Sequence, residues 1–354
     1  MQAMASAFGR RCSLFVVNKM KTMRLVQLKA GEVRRVAVVE EPKLRLLCDF
    51  DSVYGLAQAA IASGGKLTNV VADHLSDESL DYDQIYSGST HWKLLAPADH
   101  PGETARCLVS GTGLTHMGSA RDRASMHMAK EEELTDSMKM FHWGMEAGRP
   151  KAGEIGIAPE WFHKGYGAIV QAHGEPLLVP SYADDGGEEA EIAVVYLIGP
   201  EGQPYRIGMT QGNEFSDHRF EKKNYLNLAG SKLRTCSIGP ELVVDPDFRA
   251  VPGTVSITRD GKEFWSQPIA SGEEEMSHSL RNLEHHHFKF ELHRRPGDVH
   301  IHFLGAHSLS FGQGVELKDG DVMEVHFDGF GRPLRNPLQV AQEKDVLVEV
   351  IPLI

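Results

Sequence analysis

The chain has 354 residues, with 37 Lys and Arg against 49 Asp and Glu and a formal net charge of −12. That balance disfavours nucleic acid or an anionic lipid surface as a partner. No apolar run approaches the ~18 residues of a membrane span, and the length suits one large domain with a smaller appendage. Cys12, Cys48, Cys107 and Cys236 have no ligand spacing, and they read as reduced thiols of a cytoplasmic protein.

Residues 1–22 read as an extra N-terminal tail without function. Arg10 and Arg11 precede an apolar stretch, 12–17, that is too short for a secretory segment. Residues 23–40 predict two strands joined at Gly31 and Glu32, with alternation in VRRVAVVEE. Helical spacing follows over 52–63 and stops at Gly64-Gly65. With the polar stretch after it and a short apolar piece at Trp92, these make a small α+β domain over 23–98, and 97–102 is its linker.

Residues 99–354 read as largely β. Cys107 opens a short strand, and 119–144 is helical or mobile around Met126, Met128, Met138 and Met140. Short strands with Gly/Pro turns are expected at 166–172, 189–198, 204–212, 240–245, 254–259, 262–268, 298–304, 321–327 and 346–351, with one helix at 273–284. Many strands and few helices imply a β-rich mixed fold with a closed or rolled sheet. EHHHFKFELH reads as a strand, with Phe288, Phe290 and Leu292 on one face. His287, Lys289, Glu291 and His293 then form a solvated face. His300 and His302 alternate with Val299, Ile301 and Phe303 in the same way, and neither pair reads as a zinc site.

The chemistry concentrates at EAEIAVVYLIG. Glu189 and Glu191 are two apart and so share a strand face, while the residues beyond them are apolar on both faces, as in a buried strand. Two adjacent acids at its mouth repel unless something positive lies between them. A divalent cation is one answer; a strand leaving solvent with hydrated acids is the other. The turn at 199–204 sends the chain back, and the return strand brings Glu214 to the same end. Three carboxylates without His or Cys form an oxygen-only set that suits Mg²⁺ or Mn²⁺ and argues against Zn²⁺.

The order E-x-E-I-A-V-V, a Gly-rich return to Asn213-Glu-Phe-Ser216, then Ser237-Ile-Gly-Pro240, resembles the fumarylacetoacetate hydrolase superfamily. Pro296-Gly-Asp-Val, Leu317-Lys-Asp-Gly-Asp-Val-Met-Glu-Val and Gly329-Phe-Gly-Arg-Pro-Leu-Arg-Asn-Pro extend the resemblance, which covers residues 105–340. It implies an α+β, β-rich mixed β-sandwich roll behind a small N-terminal domain, and a homodimer. It also implies Mg²⁺ or Mn²⁺ held by Glu189, Glu191 and Glu214, where family members usually carry Asp at the third place.

Four further residues follow from the resemblance. His116 corresponds to a family histidine, but the Glu three residues later is here Ser119, so the hydrolytic dyad is incomplete. Gly230 stands at the family's lysine place. Lys232, two residues on, shares that face along a strand and reaches the cavity, or else is a surface lysine. The family's Thr-Gly-Thr-Pro loop is rewritten around His307 and Ser308, which either touch a polyhydroxylated substrate or form a plain turn.

The family's common step is chelation of a 2-oxo acid, the cation stabilising an enolate at C3. The resemblance therefore implies a dehydratase acting on a 2-keto-3-deoxy sugar acid, a pentonate, giving α-ketoglutarate semialdehyde. Lys232 is its expected base, and His116 or His307 assists the leaving hydroxyl. An acylpyruvate-type C–C hydrolase or a decarboxylase using the same ion is the alternative, and an idle ligand-binding relative is a third reading.

Overall fold

The computed structural model describes residues 22–126 and 135–354, with the backbone alone at 122–126. Apart from Thr22, the expected tail lies outside the described residues, as do Cys12, Met128 and the side chain of Met126.

A 13-stranded sheet forms the body of the molecule. Its main path runs through Leu75–Asp81, Lys43–Leu47, Val33–Glu40, Arg24–Ala30, Leu242–Val243, Pro204–Asn213, Ala190–Ile198, Val299–Phe303, Cys107–Gly111 and Phe162–Tyr166. A five-stranded sheet, in the order Lys262–Ser271, Val251–Arg259, Val322–Phe327, Leu334–Val340 and Leu177–Val179, completes a mixed α+β roll. The large sheet is mixed because Val299–Phe303 pairs parallel with Cys107–Gly111.

The strand Ala190–Ile198 is buried along its whole length, as its unbroken apolar run predicts. Ala193, Val195 and Leu197 pack with Val109, Ile301 and Phe303 beneath the helix Val53–Ser63. Ile192, Val194, Tyr196 and Ile198 face the other way, against Val255, Val325 and Phe327 of the small sheet. Burying each large apolar side chain contributes about 1.5–3 kcal/mol, so this strand is fixed in place from both sides. The helix over it starts where Ser52 accepts the Gly55 amide and ends at Gly64 with φ 62°, the stop read from Gly64-Gly65.

The strands of residues 23–98 join the same sheet, Arg24 lying opposite Val243 and Leu25 opposite Leu242. Buried Glu241 reinforces that junction. It accepts hydrogen bonds from Arg24 Nη1 at 2.8 Å, Tyr82 Oη at 2.8 Å and the Arg332 amide at 3.0 Å.

Several expected elements differ. EHHHF is not a strand but the helix Leu280–Phe288, which starts well after the expected 273 and is capped by Ser279. Its Leu280, Leu283, His287 and Phe288 fall at helical spacing and bury one stripe. His287 and His293 are therefore buried, not solvated, and Phe290 and Leu292 are exposed. His300 and His302 are also buried, because Val299–Phe303 is an inner strand covered on both faces. The polar stretch after residue 73 forms the strand Leu75–Asp81 and the helix Tyr82–Tyr86. Residues 346–351 form no strand and are exposed.

Candidate metal centre and active site

Three acids meet where the buried strand begins. Glu189 and Glu191 stand at its mouth. Glu214 follows the end of the return strand, its amide donating to the Glu189 carbonyl at 2.9 Å. One carboxylate oxygen from each of the three lies within 4.8 Å of the others, and all three residues are buried. Phe215, the next residue, is held at φ 47°, a left-handed conformation that costs a non-glycine residue energy and clusters at functional sites.

Two lysines enter this acidic group. Lys232 Nζ lies 2.5 Å from Glu189 Oε1, 2.6 Å from Glu214 Oε2 and 2.9 Å from Ser216 Oγ, over the ring of Phe162 at 4.8 Å. It is buried, and it lies on the short helix Leu228–Lys232, not on the strand that the same-face reading assumed. Lys164 pairs with Glu214 Oε1 at 2.6 Å and donates to the Phe215 carbonyl at 2.8 Å and the Lys232 carbonyl at 2.9 Å. His218 Nε2 is 3.1 Å from Glu189 Oε1.

These neighbours split the acids electrostatically. Burial opposes ionisation of Glu189, but Lys232 and then His218 outweigh it and hold its carboxyl well below the usual range. For Glu191, burial and the charges of Glu189 and Glu214 all act the same way and push its carboxyl well above that range. Burial depresses His218, and its hydrogen bond and attraction to Glu189 outweigh this and raise it. A divalent cation relieves the conflict at Glu191, and three convergent carboxylate oxygens match the hard donors that Mg²⁺ or Mn²⁺ prefer. The residues therefore fit such an ion.

The other expected residues lie alongside. His116 and His307 have ring centroids 6.2 Å apart. Thr115 Oγ1 spends its hydrogen on the Leu304 carbonyl at 2.6 Å, so the 3.0 Å contact to His116 Nδ1 has the imidazole as donor. Its Nε2 is then a lone-pair acceptor, buried without a partner among the described residues. Burial, then His307, pulls His116 down to about 3, consistent with a neutral ring. Ser308 Oγ and His307 Nδ1 are likewise without partners among the described residues. Ser119 donates to the His116 carbonyl at 3.1 Å, and no carboxylate stands at that position.

A cavity of about 20 Å³ joins these parts, lined by Glu189, Glu191, His218, Glu221, Lys232 and Ser119 among others. Lys164, His218 and Glu221 were not anticipated from the sequence. His218 and Glu221 are three apart on the helix His218–Lys223, which places them on one face. Lys164 alternates with Phe162 on the buried side of its strand, the one local signal it carries.

Neither the protein-family models nor the curated protein sequences give a match. Solved structures do. A 2-keto-3-deoxyarabinonate dehydratase is 18% identical over 91% of this chain and 100% of its own, with a TM-score of 0.66. A 2-keto-3-deoxy-D-arabinonate dehydratase complexed with magnesium and 2,5-dioxopentanoate is 20% identical over 91% of this chain and 100% of its own, TM-score 0.67. A 2-hydroxyhepta-2,4-diene-1,7-dioate isomerase from Mycobacterium marinum is 15% identical over 91% of this chain and all of its own, TM-score 0.57. The chain has the fold of these enzymes, the mixed roll expected from its resemblance to the fumarylacetoacetate hydrolase superfamily.

Proposed function

We propose that this chain is a divalent-metal-dependent dehydratase of the fumarylacetoacetate hydrolase superfamily, removing water from a 2-keto-3-deoxypentonate to give 2,5-dioxopentanoate (α-ketoglutarate semialdehyde). The observation that carries the proposal is the buried convergence of Glu189, Glu191 and Glu214 on a fold shared with dehydratases of that chemistry. The three glutamates hold Mg²⁺ or Mn²⁺, which when bound polarises the keto group and takes over carboxylate charge otherwise countered by Lys232.

Lys232 is the residue that moves the C3 proton, since its Nζ reaches both Glu189 and Glu214 at the mouth of the strand. Lys164 spends its donors on Glu214 and two carbonyls, which suits it to holding the third carboxylate in place. The neutral His116 presents Nε2 as an acceptor, so it orients a substrate hydroxyl better than it donates a proton. His307 and Ser308 offer the polar atoms for the leaving hydroxyl, and Glu221 in the cavity wall is a further proton carrier. The cavity is smaller than a five-carbon acid, so its walls part to admit substrate.

Ser119 in place of a glutamate favours elimination over hydrolysis, because no carboxylate at that position activates a water. The assembly proposed with this reading is a homodimer, checked by mass in solution. A cytoplasmic location fits the free thiols of Cys48, Cys107 and Cys236, and residues 23–98 are proposed as an accessory domain. Among the described residues no helix is long and apolar enough to cross a membrane.

The test is a coupled assay with Mg²⁺ and 2-keto-3-deoxypentonates that follows 2,5-dioxopentanoate. Its appearance supports the dehydratase. No product there, with pyruvate released from acylpyruvates, transfers the chain to the C–C hydrolases.

A further inference from the structure

The acid immediately before the metal-site pair has no part in the chemistry above, yet it is as deeply buried. Glu188 is 1% exposed. Both its oxygens go to one residue: Oε1 accepts the Ser310 amide at 2.8 Å and Oε2 the Ser310 hydroxyl at 2.6 Å. Neither donor carries charge. A carboxylate taken out of water for neutral donors alone works against stability, so the contact calls for a use elsewhere.

That use is visible in what Ser310 terminates. At the start of the same loop, Glu191 Oε2 accepts the Gly305 amide at 2.7 Å. Gly305 has φ 100°, and a Cβ there would meet Thr115 Oγ1 at 2.0 Å, so the chain turns tightly at that anchor. Between the two anchors lie His307 and Ser308, with Nδ1 and Oγ unpartnered among the described residues. Ala306 and Leu309, from the same loop, line the cavity. The His307 carbonyl sits 2.2 Å from where a Cβ on Gly118 would be, so the loop also rests on the backbone that carries Ser119. Two carboxylates flanking Glu189 thus fix the loop at both ends, one of them a proposed metal ligand and the other not.

We propose that Glu188 is a positioning residue for substrate selectivity: by pinning Ser310 it holds His307 and Ser308 against the hydroxyl-bearing end of the substrate. The cation and the 2-oxo acid end do not depend on it. The substrate class rests on the function proposed above.

The experiment compares Glu188→Ala, Ser310→Ala, the double variant and Glu188→Gln with the unaltered full chain. It reads Mn²⁺ affinity, the affinity of the Mn²⁺-loaded protein for pyruvate (a 2-oxo acid without hydroxyls), and KM for 2-keto-3-deoxypentonate. Glu188→Ala and Ser310→Ala each raise KM about tenfold, and the double variant no further, because they remove one shared interaction. Mn²⁺ and pyruvate affinities stay as they were. Glu188→Gln keeps most of the affinity, since its amide still offers Ser310 one acceptor and one donor. An unchanged KM in Glu188→Ala, or a parallel loss of Mn²⁺ and pyruvate binding, overturns the proposal. If the unaltered protein turns over no sugar acid, the functional reading has failed on its own account. Glu188 is then judged by amide hydrogen exchange over 305–310: faster exchange in Glu188→Ala supports the pin, and unchanged exchange rejects it.

Discussion

Lys232 carries more of the proposed chemistry than any other single side chain. Its three short contacts to Glu189, Glu214 and Ser216 use every donor it has, so it lies within reach of whatever the three carboxylates bind. Lys232→Ala should lower turnover about 10²–10⁴-fold, the usual worth of a positioned proton carrier, while the protein still binds Mn²⁺. Near-normal turnover would remove it as the base. The acids of this site were legible because two-residue spacing on a strand and a hairpin return place Glu189, Glu191 and Glu214 together by geometry alone. Lys232 was legible only as one of two outcomes, since its helix was read as a strand. His218 and Glu221 were not legible. Their three-residue spacing shows a shared helix face, but nothing local says that this face turns toward Glu189.

At the scale of elements, alternation and apolar runs located the central strands, and they misled where two periods coincide. Phe288, Phe290 and Leu292 alternate in sequence, yet Leu280, Leu283, His287 and Phe288 also fit a helix, and the longer pattern prevails because it buries a full stripe. The helix then carries His287 inward against His300, their Nε2 and Nδ1 2.9 Å apart. The join between the N-terminal strands and the large sheet depends on pairs far apart in sequence, which no local pattern reveals. Glu241 is the sharpest test of it. Glu241→Ala strands the Tyr82 hydroxyl, the Arg24 guanidinium and the Arg332 amide together, so it should lower unfolding free energy by about 3 kcal/mol in urea melts. A change within about 0.5 kcal/mol, the range of an ordinary surface substitution, would show that the junction does not depend on this carboxylate.

For the whole molecule, the buried histidines make stability depend on pH in a set direction. Burial, then neighbouring histidines, pulls His300 and His302 from 6.5 to about 3, and holds His287 well below the ordinary range. A group depressed in the folded state takes up its proton first in the unfolded chain. The stability these residues contribute is therefore fully present above pH 6.5 and is lost as pH falls from there toward about 3. Each histidine adds about 1.4 kcal/mol per pH unit to that slope. His302→Gln should flatten the loss measured by urea unfolding through the acid range, and an unchanged slope would contradict the assignment. The fold class, roll architecture and acid triad were thus readable from order and spacing, whereas this interior of histidines was not, because a histidine's burial is decided by tertiary packing. The central claim is that Glu189, Glu191 and Glu214 jointly hold one divalent cation. A Mn²⁺ titration followed by electron paramagnetic resonance tests it most directly. The account predicts one tightly bound Mn²⁺ per chain and its loss in Glu191→Gln; Mn²⁺ bound as tightly by Glu191→Gln as by the unaltered protein would contradict it.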